Sequence, residues 1–249
     1  MIQFLKESTF AANKVLNKSW KVLKANYFSI AGLCFSLFLT SNTSGILAFY
    51  IQEVNPFLSA FMSFLFVIAY FGIQLTLFKY IFKRIDRADN IKLFETIPTT
   101  RELTQFFLAM LYVGLLVLLF YLITALAGWP LIYWFGVEYV VNGTYLVCAL
   151  ITLYFLIRVA FYPFFIIDRN SNGRNAIRLS VALTKGNFYK LLVILGFFAI
   201  LHLLYIYFNY LGYPIVSTIL SVLNSFFVAP FASVVVAVAY RDMIKNYGQ

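Results

Sequence analysis

The chain alternates long apolar runs with short polar stretches. No acidic or basic side chain lies between Lys24 and Glu53, Glu53 and Lys79, Glu102 and Glu138, or Glu138 and Arg158. From Lys190 to Arg241 the only titratable base is His202. A helix needs about 20 apolar residues to cross about 30 Å of hydrocarbon. The pattern therefore predicts six spans, at about 27–51, 57–80, 105–128, 138–163, 189–211 and 215–239. Turn residues mark the joints within pairs of spans: Asn55-Pro56, Gly128-Trp129-Pro130 and Gly212-Tyr213-Pro214. The apolar runs are continuous, without the ten-residue alternation of a transmembrane barrel. The expected fold is all-α and polytopic.

Composition supports this. Of 249 residues, 63% are hydrophobic and 11% charged, with a mean hydropathy of +0.87. Soluble domains average about 45–50% apolar and about 25% charged. These values exclude a soluble globule, a disordered chain and a disulfide scaffold. Cys34 and Cys148 lie in different apolar runs, so no bridge and no metal-type spacing is expected.

The net charge of +10 is concentrated beside the spans. All nineteen Lys and Arg lie in the N-terminal tail, near the 2–3 and 4–5 connections, or in the C-terminal tail. The other connections hold only Glu53 and Glu138. This positive-inside pattern predicts that both termini are cytoplasmic. The first 26 residues carry five lysines, and the span that follows is too long for a signal h-region, so no cleavable signal is expected. Anionic lipid, rather than nucleic acid, is the expected partner of the basic residues.

An internal repeat is visible. Tyr80-Ile-Phe82-Lys-Arg-Ile85-Asp86-Arg87-Ala-Asp-Asn90 matches Tyr162-Pro-Phe164-Phe-Ile-Ile167-Asp168-Arg169-Asn-Ser-Asn172 at an offset of 82. Ser19, Lys24 and Asn26 align with Ser180, Lys185 and Asn187 at an offset of 161, about twice the first. Direction is kept after an even number of spans, so the repeat is parallel. A single membrane domain, 1–249, is expected, with three units at about 8–88, 89–170 and 171–249. Each would comprise an amphipathic elbow helix and a helical hairpin. The middle elbow, near 91–104, has diverged and carries Pro98.

In the first elbow, Lys14, Lys18 and Lys21 share one face, with Leu16, Trp20 and Leu23 on another. In the third, Arg174 and Arg178 are one turn apart, opposite Leu179 and Leu183, and Gly186-Asn187 stops the helix. Such helices lie at headgroup level. The five basic residues are candidate contacts for anionic lipid or a protein partner. Asp86 and Asp168 are expected to form local salt bridges or helix caps.

No catalytic constellation, phosphate loop, dinucleotide fingerprint or metalloprotease motif is present, so neither enzymatic activity nor a cofactor is expected. Ser217, Ser221, Ser225, Ala229 and Ser233 recur every fourth residue of span 6, a stripe suited to close helix packing. Pro230 should kink that span. Asn42, His202 and Asn224 are candidate intramembrane polar residues, because polar groups in hydrocarbon need partners. Ser41–Gly45 is expected to face the bundle, a partner or water, with Gln74, Asn142, Thr144 and Asn209 as possible companions.

The stretch from Phe161 to Asn187 places Pro163, Ile166, Ile167 and Asp168 before Ala176, Ser180 and Leu183-Thr184-Lys185-Gly186. In this it resembles a group of bacterial six-span membrane proteins that includes the membrane domain of some glycerophosphodiester phosphodiesterases. The resemblance implies a six-span layout and marks no active site. With no room for the soluble phosphodiesterase domain, that activity is not carried over. The sequence points first to a non-enzymatic scaffold or accessory subunit of an inner-membrane assembly, in envelope biogenesis or protein export, with other membrane proteins as partners. The alternative is a transporter or channel for a small solute or lipid.

Overall fold

Asn55 and Pro56 show how the first hairpin is made. Asn55 is extended, and its side chain accepts from the amides of Phe57 (3.0 Å) and Leu58 (3.2 Å). Pro56, which has no amide proton to leave unpaired, starts the next helix. The computed structural model describes residues 12–86 and 92–247. Helix α1 is Ala12–Val54, α2 Pro56–Ile85, α3 Thr100–Gly128, α4 Val137–Val159, α5 Tyr162–Arg169 and α6 Gly173–Thr184. Then come α7 (Phe188–Tyr210), α8 (Pro214–Leu223), a π-turn (Asn224–Val228) and α9 (Ala229–Tyr247). Six helical stretches, beginning at Asn13, Pro56, Thr100, Val137, Phe188 and Pro214, are long and apolar enough to cross a membrane. The chain is an all-α, multi-pass membrane protein.

Asn26 interrupts α1 with a non-helical backbone (φ −131°, ψ 22°), at the expected junction of first elbow and first span. Beyond it, polar side chains in α1 bond to their own helix. The Ser36 hydroxyl donates to Gly32 O (3.0 Å), Thr40 to Ser36 O (2.7 Å) and the Asn42 amide to Phe38 O (2.8 Å). The buried line of the first elbow is Val15, Ser19 and Leu23, whereas Trp20 is 57% exposed. The apolar face is therefore rotated from the Leu16–Trp20–Leu23 line expected from spacing. The middle elbow differs more. Between the described residues Lys92 and Thr100 there is only a four-residue 3-10 turn, Leu93–Thr96, because Pro98 cannot sit in a helix interior. The middle unit thus has no amphipathic elbow helix in its described part. Arg87 to Asn90 of the repeat motif lie outside the described residues.

The helices form two units, Met1–Leu103 with Tyr189–Gln249, and Thr104–Phe188. The three sequence repeats do not coincide with them. In the first unit α1 packs along α2 and α9. Phe82 stacks on Tyr240 (centroids 5.4 Å apart), and the Arg241 guanidinium lies 4.5 Å from the Phe82 ring centre. Arg241 also reaches Asp86 Oδ2 at 2.6 Å, tying the end of α2 to α9. Just before α3, Thr99 and Glu102 form a capping box. The Thr99 amide donates to Glu102 Oε2 (2.6 Å), and the Glu102 amide to Thr99 Oγ1 (3.3 Å).

In the second unit Pro163 lacks the amide proton a continuous helix needs, and the fourth span breaks between α4 and α5. α6 covers the break. The buried Ser180 hydroxyl donates to Arg158 O (2.9 Å) and accepts from the Phe161 amide (3.0 Å). The N-terminus of α6 meets α3 at Gly173, whose amide donates to Gln105 Oε1 (2.9 Å). A Cβ at Gly173 would sit 2.8 Å from the Gln105 carbonyl oxygen, so only glycine permits this approach. Arg174 and Arg178 lie exposed on the opposite face of α6.

Candidate functional site

The first unit holds a half-open polar cavity of about 460 Å³, lined from α1, α2, α7, α8, the π-turn and α9, with Asn42 and His202 exposed at its opening. Its walls bring together the three polar residues singled out inside the spans, Asn42, His202 and Asn224. Ser41 joins them from the polar stretch of the first span, with Gln74, the one of its expected companions that lines this cavity. Asn209 is not among the lining residues. Thr144 lines a different, apolar pocket, in the second unit.

Local helix geometry explains the grouping. Cys34, Phe38 and Ser41 follow i, i+4, i+7 on α1, Tyr70 and Gln74 are one turn apart on α2, and His202 and Tyr205 are three apart on α7. Each helix thus turns one narrow face, mixed polar and apolar, to the same space. The His202 and Tyr205 rings stack with centroids 5.8 Å apart. Sequence reasoning missed Cys34, Tyr70 and Tyr205. The i+4 and i+3 spacings to Gln74 and His202 were the available signals for the two tyrosines.

The far wall is the sixth span. Ser221, Ser225, Ala229 and Ser233, the stripe read as a packing surface, all line the cavity, and Ser217 is buried one turn earlier. Their small side chains leave the space open. The helix loosens where it borders the cavity: the Ala229 amide bonds back to Asn224 O, the five-residue step of a π-turn. π-Turns often accompany functional sites in helices. Pro230 cannot donate to Phe226 O, and the Tyr27 hydroxyl donates to that carbonyl instead, at 3.0 Å. Backbone polarity freed by the proline is therefore satisfied from α1.

The lining residues include no Lys, Arg, Asp or Glu. Several of the polar side chains are satisfied locally, as with Asn42 on Phe38 O and Ser225 on Ser221 O (2.9 Å). The side chains of Gln74, His202 and Asn224 have no such backbone partner among the described residues. Three polar groups able to donate and accept thus converge on a space large enough for a small ligand, for which sites of about 300–1,000 Å³ are typical. Among the described residues no group of three His, Cys, Asp or Glu side chains could hold a metal.

The basic candidates lie elsewhere. Lys14 and Lys21 are exposed and Lys18 half-buried on the first elbow. Arg174 and Arg178 are exposed on α6. Comparison with protein-family models, with curated proteins and with solved structures finds no match.

Proposed function

We propose that the chain is a non-enzymatic carrier or channel of the bacterial inner membrane, with both termini cytoplasmic, which takes a small uncharged polar ligand into the cavity of its first unit. The observation that carries this reading is the convergence of Asn42, Gln74, His202 and Asn224 on one intramembrane space. Uncharged donors and acceptors in a low-dielectric setting suit hydroxyl- or amide-bearing ligands. With no formal charge in the lining to offset its desolvation, an ion is disfavoured. Sidedness rests on the distribution of Lys and Arg.

A ligand that binds only the folded protein raises its stability by about 2.7 kcal/mol at 100 times Kd. Thermal unfolding of the purified protein should therefore shift upward with at least one class among neutral polyols, sugars and amides. Ser225→Leu, which fills the cavity, should remove the shift. An equal shift in Ser225→Leu, or none with any class, would count against the proposal.

A second reading, accessory subunit of a larger membrane assembly, is favoured by the exposed basic faces of α1 and α6. It expects recovery of a stoichiometric partner in mild detergent that survives Ser225→Leu. We also infer descent from three repeated units. Supporting this, Asn26 breaks the helix between first elbow and first span, and its sequence counterpart Asn187 lies in the turn between α6 and α7. Kinship with the six-span family rests on the residues between Pro163 and Gly186 and implies no activity.

A further inference from the structure

A second concavity lies in the first unit, away from the polar cavity. It is an apolar groove of about 590 Å³, walled by Trp20 and Tyr27 of α1, Phe198 of α7, and Phe227 and Phe231 beside the π-turn. Phe231 joins two of these walls: the Trp20 and Phe198 rings both meet it edge-on, with centroids 5.7 and 5.5 Å away. One charged residue, Lys24, lines the groove.

We propose that this groove is a binding site for one anionic phospholipid, with an acyl chain against the aromatic wall and the phosphate at Lys24. Three observations support it. On α1 the groove runs from Trp20 to Tyr27, across the break at Asn26, so it straddles the step from basic elbow to apolar span. That step is the headgroup-to-acyl boundary of a bilayer, and the exposed indole of Trp20 is the side chain that favours this depth. Charge is one-sided: Lys14, Lys18, Lys21 and Lys24 crowd the elbow, and no acidic residue occurs from Ala12 to Gln52. An apolar groove with a lysine at its rim fits an amphiphile with a negative head. It does not fit the uncharged ligand proposed for the polar cavity, so the two sites are independent.

Trp20 provides a local probe. The chain has three tryptophans, and Trp129 and Trp134 are both exposed, so a Trp129→Phe/Trp134→Phe variant of the full chain leaves Trp20 as the sole tryptophan, excited selectively over tyrosine at the red edge of the absorption band. In nanodiscs, phosphatidylglycerol brominated near the headgroup end of its chains should quench Trp20 more effectively than brominated phosphatidylcholine. The expected preference is about fivefold in apparent affinity, the ~1 kcal/mol of one lysine at an anionic surface. Lys24→Gln should abolish the preference, and Lys24→Arg should keep it. Equal quenching by both lipids would mean ordinary bilayer contact and would overturn the proposal. So would a preference unchanged by Lys24→Gln. Absence of quenching by either lipid would mean that protein fills the groove, which also overturns it.

Discussion

Ser180→Ala is expected to destabilise the protein by about 1–3 kcal/mol, the cost of one buried backbone group left without a partner. The Ser180 hydroxyl serves both sides of the break in the fourth span. It accepts from the Phe161 amide and donates to Arg158 O. Loss of the first bond takes away the partner that Ser180 gives to an N–H at the bend. The second loss is partly covered, since the Thr184 hydroxyl lies 3.1 Å from the same carbonyl. That hydroxyl has one proton, and Ser180 O at 2.9 Å is an alternative acceptor. Thr184→Val alone should therefore cost less than Ser180→Ala. In the double variant the Arg158 carbonyl loses both hydroxyl donors and the Phe161 amide loses Ser180, and the cost should exceed the sum of the two, because the sites share an acceptor. Denaturant or thermal unfolding in one detergent measures all three. Strict additivity, or a neutral Ser180→Ala, would show that α6 does not hold the break together.

Lys79→Ala should cost more, on the order of 3–5 kcal/mol, the usual penalty for orphaning one member of a buried ion pair. The Lys79 ammonium reaches both Glu102 oxygens, at 2.9 and 3.1 Å, and Ile97 O at 3.3 Å. Only 7% of the Glu102 side chain and 17% of the Lys79 side chain are exposed. Glu102 also closes the capping box with Thr99, so its carboxylate cannot simply turn to water. Glu102→Gln keeps a box-forming residue but leaves the ammonium unpaired, and should also destabilise. Lys83→Ala is the control. Lys83 pairs with Glu95 at 3.6 Å with both side chains well exposed, and such pairs contribute under about 1 kcal/mol. Equal effects of Lys79→Ala and Lys83→Ala would contradict the buried pair.

The spans were legible because hydrocarbon excludes charge: the gaps between ionisable residues lie within the six helices. The joints were legible because Asn55-Pro56 and Gly212, with its positive φ of 76°, act through local backbone chemistry. Pairings between distant segments were not. Nothing in the sequence joins Lys79 to Glu102, or Arg241 to Asp86 in preference to the adjacent Arg87. Within the site, Asn42, His202 and Asn224 were recognisable as costly in lipid, but each could have faced a different neighbour. That they share one cavity depends on which faces α1, α2, α7 and α9 turn inward. The serine stripe shows the same limit, because a row of small residues can admit either a helix or a void. Pro230 foretold a disturbance in span 6, but the π-turn and the Tyr27 hydroxyl that relieves it depend on packing between helices.

A cavity that serves a polar ligand should be wet and reachable inside the membrane. Its direct test is thiol labelling of Asn224→Cys, in a background with Cys34 and Cys148 replaced by alanine, using a small membrane-impermeant methanethiosulfonate on intact membranes. Ile219→Cys, on an exposed face that does not line the cavity, is the comparison. Labelling should be rapid at 224, blocked when Ser225→Leu is added, and slow at 219. Equal, slow labelling at both positions would contradict it.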